Sequence, residues 1–270
     1  MTLNTTNLGA SSPLPEGGKS LRIPIERTFQ RPLRALCRAA HVENVRLMPT
    51  IRTALLSALL VALGFQAHAA QPRVSFAYNS TFDFTCSLVL GGSIKDEWKA
   101  ELLSRMPELE DLWAKVGPKQ IEAVEAITGK PFPGEDFAAR LTLCNLPSQS
   151  FVGISVNMRY ALKSFISPPV LMRDKVETLF HELLHVFLSR HPMADSELLA
   201  VHVAEPWCVR NHLHLLALHK AVLLKLHEPD VLRAMVSVAG KLPSGCYKRA
   251  WEIVNATETE YTKYVAEFAK

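Results

Sequence analysis

KVETLFHELLHVFLSR, residues 175 to 190, carries HELLH at 181 to 185. On an α-helix, positions i and i+4 lie on one face, so His181 and His185 project the same way, one turn apart. Two imidazoles so placed can ligate one metal ion. Glu182 lies one position on, close enough to reach a metal-bound water without being a ligand. The remainder of the stretch is apolar at helical spacing (Val176, Leu179, Phe180, Leu183, Leu184, Val186, Phe187), which predicts a helix over about 175–190 with Asp174 as its N-cap. A core helix with two satisfied histidines would spell the same five letters, so the motif needs support from elsewhere.

That support comes from histidine placement. All eight histidines beyond residue 70 fall between His181 and His227. A β-branched and aromatic stretch, Phe151 to Tyr160, precedes the motif and predicts a strand. Together these residues resemble the zincin metallopeptidases over roughly residues 145 to 225.

The resemblance implies a bound Zn2+ with three protein ligands. It also implies that Glu182 accepts a proton from the zinc-bound water as that water attacks a peptide carbonyl. Three residues compete for the third ligand position. Glu205, 20 residues after His185, matches the gluzincin arrangement and is the expected ligand. It precedes Pro206, which disfavours α geometry at position 205. His202 is a second candidate. His191 has the metzincin spacing, but that pattern wants Gly where this chain has Leu188. Glu197 stands behind these three.

RNHLH, 210 to 214, is suited to holding substrate, stabilising an oxyanion or orienting the zinc ligands. His212, about two turns beyond Glu205, is the expected catalytic partner of Glu182. His219 and His227 read as surface or packing residues. Trp98, Trp113 and Trp251 read as core anchors, and Trp207 more as packing than as a pocket wall. Asn79 and Asn255 fit the N-glycosylation pattern.

The chain has 270 residues, 48% of them apolar and 21% charged, a globular composition. Its net charge of +4 is unevenly spread. Residues 1–70 hold eight Lys/Arg against three Asp/Glu, which leaves 22 against 23 in residues 71–270. A near-neutral body gives no footprint for nucleic acid. From Met48 the chain reads Arg52, a 13-residue apolar run from Thr53 to Phe65, then Ala67-His68-Ala69. This is the three-part pattern of a secretory signal peptide, too short to span a bilayer.

Residues 1–47 lack periodicity and read as an upstream extension of the frame. Residues 48–70 read as the signal, and residues 71–270 as one domain, exported to a periplasm or the medium and not membrane-bound after cleavage. Four cysteines remain there (Cys86, Cys144, Cys208, Cys246), an even number that suits an oxidising compartment and permits three disulfide pairings.

The expected fold is α+β. A small N-terminal sheet comes first, with one or two strands in 71–90, strands over 137–146 and 150–162, and a helical stretch over 94–128 in which Pro107 is a break or a helix start. A mostly helical, zincin-like half follows, carrying the HExxH helix, then helices over 196–226, 227–239 and 248–268. The expected function is an exported zinc peptidase acting on a peptide or protein. The alternative is a non-catalytic exported metal-binding or structural protein.

Overall fold

The computed structural model describes residues 72–151 and 153–269. The signal-type segment and the stretch before it lie outside the described residues. The fold is mixed: helices surround a small sheet of three parallel strands. These are β1 (Val74–Tyr78), β2 (Phe137–Thr142) and β3 (Ile154–Asn157), in the order β1-β2-β3. Val74 pairs with Phe137, and Ala139 with Ile154. In β2 the buried Phe137, Ala139 and Leu141 alternate with exposed neighbours, the period-two pattern of a half-covered strand.

The expected second strand in 71–90 is instead a helix, α1 (Ser80–Leu90). Its β-branched and aromatic content favours a strand, but local capping and tertiary ties prevail. The Asn79 side chain accepts from the Phe82 N–H at 3.0 Å and caps the first turn. Asp83 is buried, and its carboxylate accepts from the backbone N–H groups of Leu143 and Cys144 and from the Thr142 hydroxyl. A Cys86–Cys144 disulfide fixes the same helix to the end of β2.

α2 (Asp96–Thr128) runs for 33 residues through Pro107, expected as a break or a helix start, and through Pro118. Each proline removes one helical donor. Burial of Leu102, Leu109, Trp113, Ile121 and Val124 along one face outweighs that loss. Gly117 is required where the helix meets its own indole, since a Cβ there would lie 2.4 Å from the Trp113 ring.

α3 (Met172–Arg190) is the HExxH helix. It starts one turn earlier than the sequence suggested. Leu171 holds the N-cap position, and Asp174 sits inside the first turn, where its charge complements the helix dipole. Val176, Leu179, Phe180, Leu183, Leu184 and Phe187 are fully buried, and α3 packs against α2 and β3. It also packs against α5 (Trp207–Lys225).

Between them, α4 (Glu197–Val201) is shorter than the expected helix over 196–204. α6 (Pro229–Ala239) matches its expected place. The expected final helix divides into α7 (Cys246–Val254) and α8 (Glu260–Ala266), parted at residues 255–259. Trp98, Trp113 and Trp251 are core residues, as expected. A second disulfide joins Cys208 to Cys246. Among the described residues, no helix is long and apolar enough to cross a membrane.

Lys175, in the first turn of α3, is 8% exposed and donates its Nζ to the Asn157 carbonyl at 2.7 Å. Burial pulls its pKa from 10.5 down to about 8. Below the folded value the full cost of burying the charge is present. As pH rises from about 8 to 10.5 the folded chain sheds this proton before the unfolded chain does, and the cost is relieved. Denaturant unfolding should therefore show the protein gaining about 3 kcal/mol relative to Lys175→Met across that window. A difference independent of pH would contradict the burial effect.

Candidate metal centre

α3 presents His181 and His185 one turn apart, as the spacing requires. α5 crosses beside them and supplies His212. One ligand nitrogen from each of the three rings lies within 4.8 Å of the others, an arrangement that can hold a metal ion. The His181 ring is 5.0 Å from that of His185 and 5.3 Å from that of His212, and His185 and His212 are 5.0 Å apart.

The Nε2 atoms of His181 and His212 are shielded from solvent and have no hydrogen-bond partner. Such atoms are unfavourable unless something binds them. His212 Nδ1 lies 2.6 Å from the Cys208 carbonyl. A carbonyl only accepts, so Nδ1 carries the proton and Nε2 offers its lone pair to the group. A backbone carbonyl orienting a ligating imidazole is a recurrent feature of metal sites.

The electrostatics agree. Burial, then the neighbouring His212, His185 and His219, push the His181 pKa well below its usual value. Burial and His212 bring His185 down to about 4. Burial also lowers His212, against the Cys208 carbonyl, which favours the charged form. All three are therefore neutral near pH 7, the form that binds a cation.

Glu182 is 4% exposed, and burial pushes its carboxyl up to about 7, with a Ser150 hydrogen bond opposing. Tyr247, the second residue of α7, places its ring 4.5 Å from His212 and 5.6 Å from His181. Burial raises its hydroxyl to about 12, with the Glu182 charge adding to the effect. These groups open on a cleft of about 670 Å³, within the size range of small-ligand sites. Ser148 to Phe151 form one wall. The antiparallel bridge from Gln149 to Ser155 lays this stretch along β3, so the wall is this stretch and not β3 itself.

Behind the imidazoles lies a buried carboxylate. Glu177 accepts from His219 Nε2 at 2.7 Å and from Gln120 at 2.8 Å, and pairs with Arg173. Burial opposes its ionisation, but the hydrogen bond and charge of His219 and the Arg173 guanidinium hold its pKa below the usual value. His219, expected at a surface or in ordinary packing, is fully buried, and its ring is 6.3 Å from that of His181.

The structure corrects the expected third ligand. Glu205 is outside the group: its carboxylate accepts from Arg249 at 2.9 and 2.6 Å, and that guanidinium holds its pKa down. α5 begins at Trp207, after Pro206, so Glu205 precedes the helix instead of riding on it. His202 meets the Tyr264 hydroxyl at 2.9 Å and His191 meets the Pro131 carbonyl at 3.1 Å, each away from the centre.

His212, expected as a catalytic partner, lies instead in the group that can hold a metal ion. Its distance from the motif matches no fixed spacing, so only the clustering of histidines signalled it. Tyr247 went unnoticed because nothing in its surroundings sets it apart. Trp207, expected mainly as packing, is 62% exposed and lines the cleft. The chain matches no family model, no curated protein and no solved structure.

Two outcomes follow from this geometry. Zinc-supplied protein should bind one metal per chain, and His212→Ala should lose it while Glu205→Ala keeps it. Elemental analysis decides, and loss in Glu205→Ala alone would contradict the assignment. The Cys208–Cys246 disulfide ties the residue that orients His212 to the neighbour of Tyr247. Replacing both cysteines by serine should cost about 4 kcal/mol of stability. It should also weaken metal affinity roughly 10- to 100-fold in a chelator competition. Unchanged affinity would show that the tie does not serve the site.

Proposed function

We propose that this chain is an exported zinc-dependent hydrolase, most plainly a metallopeptidase of the zincin kind. The observation that carries the reading is the convergence of His181, His185 and His212 on one point, with Glu182 beside them at the floor of an open cleft. The donor set fits zinc: three neutral imidazoles resemble known catalytic sites that leave a fourth position open. Two disulfides and the signal-type segment at residues 48–70 support export.

Zinc held by the three imidazoles would supply Lewis acidity, polarising a substrate carbonyl and easing loss of a proton from water. The chain's own residues do the rest. Glu182, with its carboxyl near 7, takes the proton of the attacking water and returns it to the leaving amine. Tyr247 stays protonated to about 12 and donates its hydroxyl to the oxyanion that develops. The Cys208 carbonyl and the Cys208–Cys246 disulfide keep His212 and Tyr247 in place while substrate enters. Ser148 to Phe151 and Trp207 border the cleft and are placed to hold an extended peptide.

A peptide-hydrolysis assay on zinc-supplied protein tests the reading. Glu182→Gln should lower kcat at least about 1,000-fold while metal content stays at one per chain. Tyr247→Phe should lower kcat about 100-fold with little change in KM. Full activity in Glu182→Gln, or no hydrolysis of any peptide by zinc-loaded protein, would overturn it.

A further inference from the structure

One carboxyl, Glu182, and one guanidinium, Arg210, line the cleft. Glu182 serves as base in the proposed mechanism, in which Arg210 takes no part. It sits in the first turn of α5, two residues before His212. Its Nε is shielded from solvent and has no hydrogen-bond acceptor. Among the described residues, no carboxylate pairs with its guanidinium, although Arg73, Arg105, Arg173, Arg190, Arg233 and Arg249 all have one.

A permanently charged fork with a desolvated, unanswered donor is unfavourable as it stands. It is also the group best suited to a planar anion, because Nε and one Nη can donate to both oxygens of a carboxylate. The cleft lining is mixed: Trp207, Leu199, Met193 and Val186 give it an apolar part, beside polar Ser189 and Asn211. An ion pair formed where Nε is shielded is screened less than one in open water.

We propose that Arg210 is a specificity residue that anchors a carboxylate of the substrate beside the reacting bond. It rests on the hydrolase reading for the identity of the cleft as a substrate site. The preferred substrate is then a peptide with an acidic group next to an apolar side chain. The acidic group is either the free C-terminal carboxylate or an acidic side chain, and the chemistry at Arg210 is the same for both.

Calorimetry tests this without turnover. The protein, expressed from its full reading frame, is stripped of metal by chelator so that zinc cannot attract the carboxylate itself. Two probe pairs are titrated. N-acetyl-phenylalanine against its carboxamide reports the C-terminal source. N-acetyl-glutamyl-phenylalaninamide against the glutaminyl analogue reports the side-chain source. In at least one pair the acid should bind about 10- to 100-fold more tightly than its neutral partner. Arg210→Met should erase that preference and leave the neutral probe's affinity unchanged, and Arg210→Lys, lacking the fork, should keep part of it.

Zinc uptake by the variant reports that it folds; if Arg210→Met does not, Arg210→Gln answers the same question. Equal affinities within both pairs, a preference that survives the loss of Arg210, or no binding of any probe at millimolar concentration would overturn the proposal. The outcomes separate from those of the hydrolase reading. A protein that discriminates yet hydrolyses nothing removes the enzyme alone, and an active peptidase blind to the carboxylate removes Arg210 alone.

Discussion

Burying three imidazoles together is the constraint on which the site depends. His181 and His185 from α3 and His212 from α5 meet with two Nε2 atoms that find no partner among the described residues. Each such atom is destabilising by roughly 1–3 kcal/mol. Protonation offers no relief, since burial holds all three in the neutral form, helped at His181 and His185 by the neighbouring imidazoles. A divalent cation would offer relief. It would take up the lone pairs at once and turn a destabilised helix interface into a cross-link between α3 and α5.

The surroundings secure that interface from both sides. On the α5 side the Cys208 carbonyl selects the His212 tautomer, and the Cys208–Cys246 disulfide holds the start of α5 to the start of α7. On the far side Glu177 gathers His219, Gln120 and Arg173 into a buried polar network. Removing one member would strand a charge in the core, so the network fixes how α2, α3 and α5 pack. The third imidazole of the group therefore comes from a part of the chain that several independent contacts hold in register.

Much of this was legible in the sequence, for identifiable reasons. The α3 pattern combines helical periodicity with two histidines at i and i+4, so one local rule predicts both element and chemistry. The helix Ser80–Leu90 departs from the sequence pattern because Phe82, Phe84 and Val89 favour strands, while the cap at Asn79 and the ties of Asp83 and Cys86 are tertiary or local-polar effects that outweigh propensity. Glu205 illustrates a different failure. A spacing rule carries over only if the second helix starts before the ligand. Pro206 starts it just after, and the nearest charge, Arg249, claims the carboxylate. His212 joins the group instead because it lies inside α5, a relation set by how α3 and α5 cross and by no sequence interval. Arg210 and Trp207 are likewise invisible as cleft residues until the helix start is placed.

The central claim is a single metal held by three imidazoles with a position left for substrate. X-ray absorption at the zinc edge of zinc-loaded protein tests it most directly. The account predicts three imidazole scatterers at about 2.0–2.1 Å and a light oxygen scatterer completing the shell. The oxygen signal should be unchanged in Glu205→Gln. A shell closed by four protein ligands, or one that loses a carboxylate in that variant, would contradict the proposed three-imidazole site with an open position.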